Sequence, residues 1–183
     1  MTLVKHPLPQ RILHWFNASC FLFLWATGIA LITTVGYRLA PLFYIELLHS
    51  IFGGHAGLLR VHIGVGVVWF AVLVLAFVVD PYGLSLRFLK DLLFSKNDLR
   101  WFAVRPLAEL NPKMELPPQG AYNAGQKAFG WTVLAGATAI GLSGLLMWVG
   151  TGGSALSQWM VLIHLLAVGG VIAFFFVHFA MAA

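Results

Sequence analysis

The chain has 183 residues, 60% of them hydrophobic and 9% charged, with a mean hydropathy of +0.88; a soluble domain carries about 25% charge, so an ordinary globular protein is excluded. A single cysteine, Cys20, excludes a disulfide framework and a thiolate metal cluster. The net charge of +5 would suit nucleic acid, but the cations are distributed as in a membrane protein, and no nucleic-acid partner is expected.

Four apolar runs, 12–34, 58–79, 127–149 and 159–181, are each long enough to span hydrocarbon. They predict an all-α membrane protein, a single domain over 1–183 built as a four-transmembrane-helix bundle. The first run is not read as a cleavable signal peptide, because His14 lies inside its start and no small-residue cleavage site follows. With four spans, both termini share a side with the connection 81–126. That side holds Lys5, Arg11, Arg87, Lys90, Lys96, Arg100, Arg105, Lys113 and Lys127, nine of the eleven basic residues, and only Arg38 and Arg60 lie opposite. The positive-inside rule therefore places the termini and 81–126 in the cytoplasm.

In chain order, a polar tail with Pro7 and Pro9 leads into the first span. His14 sits one turn inside it beside Trp15, and Ala26, Thr27 and Gly28 form a small-residue patch where a helix or a flat ligand can approach closely. Taken alone, His14 could equally be an interfacial residue. The outer connection, 35–57, is apolar but broken by Pro41, Gly53, Gly54 and Gly57. Leu42 to Phe52 reads as a short surface helix, and His49 and His55 as surface residues. The second span opens with Arg60 and His62, where the cation suits a cofactor carboxylate or a phospholipid, and it stops at Asp80-Pro81.

In the cytoplasmic connection Ser85 to Phe94 reads as an amphipathic helix at the membrane surface. Pro106, Pro112, Pro117 and Pro118 forbid one long helix beyond it. No Walker motif, dinucleotide fingerprint, HExxH or nucleophile elbow occurs. The third span follows Tyr122-Asn123-Ala124-Gly125-Gln126-Lys127 and carries Gly130, Gly136, Gly141 and Gly144. The fourth carries His164 and His178.

Fourteen residues separate those last two histidines. On a helix they lie about 21 Å apart and within about 40° of one direction. The first span runs outward from His14 and the second inward from His62. His14 is thus level with His178, and His62 with His164: two pairs at two depths. Neutral imidazole binds iron, copper or zinc. Zinc needs three or four protein ligands, whereas a porphyrin fills four positions of its iron and needs only two. Two haems b fit the pairs, and the lack of CxxCH argues against covalent haem.

The Arg11–His14–Trp15 opening, Leu59-Arg60-Val61-His62, the Tyr122–Lys127 block and Leu162-Ile163-His164 with His178 fourteen later resemble the gamma, cytochrome b subunit of respiratory formate dehydrogenases. The resemblance covers the four-span core. It implies that His62 and His164 hold the iron of an outer haem near the periplasmic face, and His14 and His178 that of an inner haem. It implies a quinone pocket at Asn123, Gly125 and Gln126 beside His178. It further implies an iron–sulfur electron-transfer subunit and a molybdenum or tungsten catalytic subunit outside a bacterial inner membrane, in complexes that can form a trimer of heterotrimers within membrane lipid. Formate would be oxidised in the partner, with no formate-oxidising site in this chain, and quinone reduced with cytoplasmic protons. The chain departs from the family in ending at Ala183 without a charged tail, and in having no acidic residue before Arg11.

Other readings stay open at this stage. The cytochrome b of a nickel–iron hydrogenase or a thiosulfate reductase is similar and could oxidise quinol. A channel or transporter would use the histidines as relay groups, although no inverted repeat is evident. A purely structural membrane anchor is a third. Without the resemblance, Asn123 and Gln126 read as helix caps.

Overall fold

A computed structural model describes residues 8–80, 82–111, 113–150 and 153–182, with side chains over 155–177 of the last stretch. The described residues form α1 (Leu8–Leu31), α2 (Leu42–Phe52), α3 (His55–Val79), α4 (Leu84–Asp91), α5 (Lys96–Leu110), α6 (Ala124–Val149) and α7 (Gly153–Ala182), with no strand among them. Four stretches, Leu8–Leu31, His55–Val79, Ala124–Val149 and Ala155–Val177, are long and apolar enough to cross a membrane. Between 6 and 22% of each apolar stretch is buried within the protein. Apolar side chains exposed on every side need an apolar solvent, and backbone groups there must be satisfied within the helix itself.

Contacts cluster into two units: Met1–Val78 with Gly141–Met160, and Val79–Ile140 with Val161–Ala183. In the first, the connection 35–57 carries the short helix expected at Leu42–Phe52. Pro41 is extended at φ −61°, ψ 151° and starts α2. Gly53, left-handed at φ 75°, ends it. The amide of Gly54 donates to the carbonyl of His49 at 2.6 Å. Ile45 of α2 is buried with Ala30, Ala40 and Leu58, and Tyr44, Leu48 and Phe52 close around them. The Tyr44 hydroxyl donates to the carbonyl of Ala26 at 3.0 Å. Lower down, the indole of Trp69 on α3, 2% exposed, donates to Asn17 Oδ1 of α1 at 2.9 Å. The Tyr44 hydroxyl and the Trp69 indole, which enter this apolar unit, are thus each met by a polar partner, as burial demands. Gly141 lies directly against the ring of Phe70, where a Cβ would collide.

The second unit is organised around the start of α6. The Asp80 carboxylate accepts the amides of Ser85 and Leu86 at 3.0 and 3.2 Å and so starts α4. These hydrogen bonds, that of Ser85 foremost, hold its carboxyl below the usual range. Ser95 and Asp98 form a capping box on α5: Ser95 Oγ accepts the amide of Asp98, and Asp98 Oδ2 accepts the amide of Ser95 at 2.6 Å. Helix α5 then continues through Pro106 to Leu110. No single helix spans the connection among the described residues, but Pro106 is not itself a break. Leu92, 1% exposed, fills the notch at Gly130, where a Cβ would fall 2.6 Å from Leu92 Cδ2. Gly136 serves the same purpose beneath Val171 of α7.

Candidate functional site

His62 stands in the first turns of α3, against the small-residue patch of α1. Gly28 makes the approach possible, since a Cβ there would lie 3.3 Å from His62 Cε1. Beside it Thr27, 2% exposed, places its hydroxyl 2.8 Å from His62 Nδ1. The same hydroxyl lies 2.9 Å from the carbonyl of Phe23 and 3.1 Å from that of Leu24. A hydroxyl has one proton, and the two carbonyls can only accept. All three contacts are favourable only when Thr27 donates to the carbonyls and Nδ1–H donates to Thr27. The imidazole is then the tautomer whose lone pair is on Nε2.

In the second unit, the imidazole of His164 on α7 is hydrogen-bonded to the backbone of Ile140 on α6. His14 is exposed on α1, with its ring edge-on to that of Trp15 at 5.6 Å. His178 lies on α7, and its side chain is outside the described residues. His62 and His164 belong to different units; neither expected pairing is seen within one unit. His49 and His55 meet edge to face at 5.5 Å, and Nε2 of His49 is buried without a hydrogen-bond partner. Among the described residues no three His, Cys, Asp or Glu side chains converge as metal ligands. An ion needing three or four protein ligands therefore has no site among them. A neutral imidazole with its Nε2 lone pair set by a second contact, as at His62, is what an axial ligand of haem requires.

Asn123, Gly125 and Gln126 all lie at the start of α6, where the first two side chains form a reciprocal cap. Asn123 Oδ1 accepts the amide of Gln126 at 2.9 Å, and Gln126 Oε1 accepts the amide of Asn123 at 3.0 Å. The amide of Ala124 donates to Gln119 Oε1 at 2.8 Å. The capping role that these residues suggest in the sequence is thus present. It also fixes which way the amides point: with both oxygens turned to backbone N–H groups, Asn123 and Gln126 keep their NH2 donors for a ligand. Tyr122 packs edge-on against Phe88 of α4 at 6.1 Å. Its phenol is pushed up, first by burial and then by the charge of Asp91.

One turn further, Lys127 Nζ donates to Asp98 Oδ2 at 2.8 Å and to the carbonyl of Leu93 at 3.0 Å. Trp131 Nε1 donates to the carbonyl of Leu92 at 3.1 Å. These bonds hold the α4–α5 turn on the first turns of α6. Sequence reasoning reached neither this ion pair nor Thr27. The Ser95-x-x-Asp98 pattern could have revealed the cap of α5. A threonine beside glycine in an apolar run was the one available sign of the His62 contact.

A family model described as prokaryotic cytochrome b561 matches residues 5–183. The cytochrome b556(fdo) subunit of formate dehydrogenase from Escherichia coli (strain K12) is 28% identical over 147 residues, 80% of this chain and 61% of the relative. The same figures hold for the subunits so named in E. coli O6:H1 and O157:H7. The chain spans about three fifths of the length of these relatives. Matched over almost its whole length and carrying four helices fit to cross a bilayer, the chain belongs to the prokaryotic cytochrome b561 family, multi-pass membrane proteins that hold haem b.

Proposed function

We propose that this chain is the dihaem cytochrome b subunit through which a periplasmic formate dehydrogenase delivers electrons to membrane quinone. The observation that carries the proposal is the similarity to the formate dehydrogenase cytochrome b556 subunits over 80% of the chain. His62 and His164 would hold the iron of the outer haem, and His14 and His178 that of the inner. Bound haem b supplies a one-electron couple.

The chain's own residues would do the rest. Thr27 keeps the His62 imidazole in the tautomer that can ligate iron. Small residues at Gly28, Gly64 and Gly66 leave room beside the ligands on α1 and α3. At the other end, the capped start of α6 supports a quinone site at Asn123, Gly125 and Gln126, beside His178. The capping box turns Asn123 Nδ2 and Gln126 Nε2 into donors for a quinone carbonyl oxygen, which can only accept. Quinone reduction takes up two protons. With the termini and the 81–126 connection in the cytoplasm, those protons come from the cytoplasmic side, and formate oxidation in the partner leaves its proton outside.

The partners are an iron–sulfur subunit and a molybdenum or tungsten catalytic subunit in a bacterial inner membrane, in complexes of a kind that can form a trimer of heterotrimers. The test is to purify the intact membrane complex, identify its subunits, and add formate under anaerobic conditions with a quinone analogue. Formate is expected to reduce b-type haem and then the quinone. Reduction by hydrogen or thiosulfate-linked partners, with none by formate, would overturn the choice of partner.

A further inference from the structure

We infer that Thr27 is a positioning residue that sets both the tautomer and the donor strength of His62 toward its iron. The inference rests on the reading of His62 as an axial ligand, and it adds a residue that neither the histidine spacing nor the resemblance supplies.

The reasoning starts from the hydroxyl. Helical threonine commonly returns its proton to the carbonyl one turn back, and here Phe23 accepts at 2.9 Å with Leu24 at 3.1 Å. His62 Nδ1 at 2.8 Å is the closest of the three contacts. A lone pair on Nδ1 would require Thr27 to turn its proton away from both carbonyls, leaving two oxygen–oxygen contacts unbridged by hydrogen. At 2% exposure no solvent compensates for that. The alternative leaves nothing unmatched: Nδ1–H donates to Oγ1, and Oγ1–H donates to the backbone. A Cβ at the neighbouring Gly28 would lie 3.3 Å from Cε1, so the absence of a side chain there lets the ring settle close against α1.

Two consequences follow for an iron at Nε2. The ring is presented in one tautomer and one orientation, so no rearrangement precedes ligation. An Nδ1–H hydrogen bond also leaves more electron density on Nε2, which favours the ferric ion over the ferrous and lowers the reduction potential. The hydroxyl is a moderate acceptor, weaker than a carboxylate would be. His164 on α7 is hydrogen-bonded instead to a backbone group, at Ile140. Of the two contacts, only the one at Thr27 is made by a side chain and can be deleted by substitution.

The experiment compares wild type with Thr27→Val, Thr27→Ala and Thr27→Ser in the purified complex, by spectroscopic redox titration and low-temperature electron paramagnetic resonance. Thr27→Val and Thr27→Ala remove the acceptor. One of the two haem potentials is expected to rise, with a shifted low-spin signal for that haem alone. Thr27→Ser keeps the hydroxyl and is expected to match wild type. Unchanged potentials and signals in a fully loaded Thr27→Val or Thr27→Ala protein would overturn the role of Thr27. A His62→Ala protein that keeps both haems with bis-histidine spectra would instead overturn the reading of His62 as a ligand. The two failures are therefore distinct.

Discussion

Lys127, in the first turn of α6, forms a 2.8 Å ion pair with Asp98 of α5, and the two side chains are 8% and 1% exposed. Asp98 also completes the capping box of α5, and Lys127 lies next to Gln126 in the cap of α6. One ion pair therefore ties together the starts of two helices.

Breaking it from one side should be costly. Asp98→Asn leaves a buried ammonium without its counter-charge, and removal of one partner of such a pair costs about 3–5 kcal/mol. The variant is expected to unfold at a clearly lower temperature in detergent. Asp98→Glu with Lys127→Arg, which keeps both charges, is expected to recover part of the loss.

The same pair sets an acid limit. Burial pushes the Asp98 carboxyl up, but its hydrogen bonds to Lys127 and Ser95 and the charge of Lys127 outweigh this and hold it below the usual range. A carboxyl depressed in the folded state stabilises the fold above its unfolded value of about 3.9. That contribution fades as pH falls through the lower folded value. The difference in melting temperature between wild type and Asp98→Asn is expected to be constant above about pH 5 and to narrow below about pH 4. A gap that widened with acid would contradict the direction.

The capping role of Asn123 can be separated from its proposed part in quinone binding. Asn123→Asp keeps an oxygen to accept the Gln126 amide, so the cap of α6 should persist. It loses the Nδ2 donor and gains a charge that repels a carbonyl oxygen. Wild-type melting and haem content are expected, with slower quinone reduction and a higher KM for quinone. Unchanged quinone kinetics would remove Asn123 from the site.

The parts of the molecule that could be read from the chain are those governed by local rules. Helix α2 begins and ends where Pro41 and Gly53 say it must. The long helices announce themselves by apolarity on every side. Helix α5 was masked by Pro106, whose cost is borne in a helix capped by Ser95 and anchored by Asp98. The cap at Asn123 and Gln126 is a spacing of three and was legible. The contacts of Thr27 with His62 and of Lys127 with Asp98 join residues 35 and 29 positions apart, and no local pattern encodes such distances.

The central claim is that the four histidines serve iron in two pairs. Redox titration of the purified complex, monitored by its haem spectrum, tests it most directly when wild type is compared with His62→Ala, His164→Ala, His14→Ala and His178→Ala. Two b-type components are expected in wild type, with the same one lost in His62→Ala as in His164→Ala, and the other lost in His14→Ala as in His178→Ala. Retention of both components in any of these variants, or a loss that pairs His62 with His14, would contradict it.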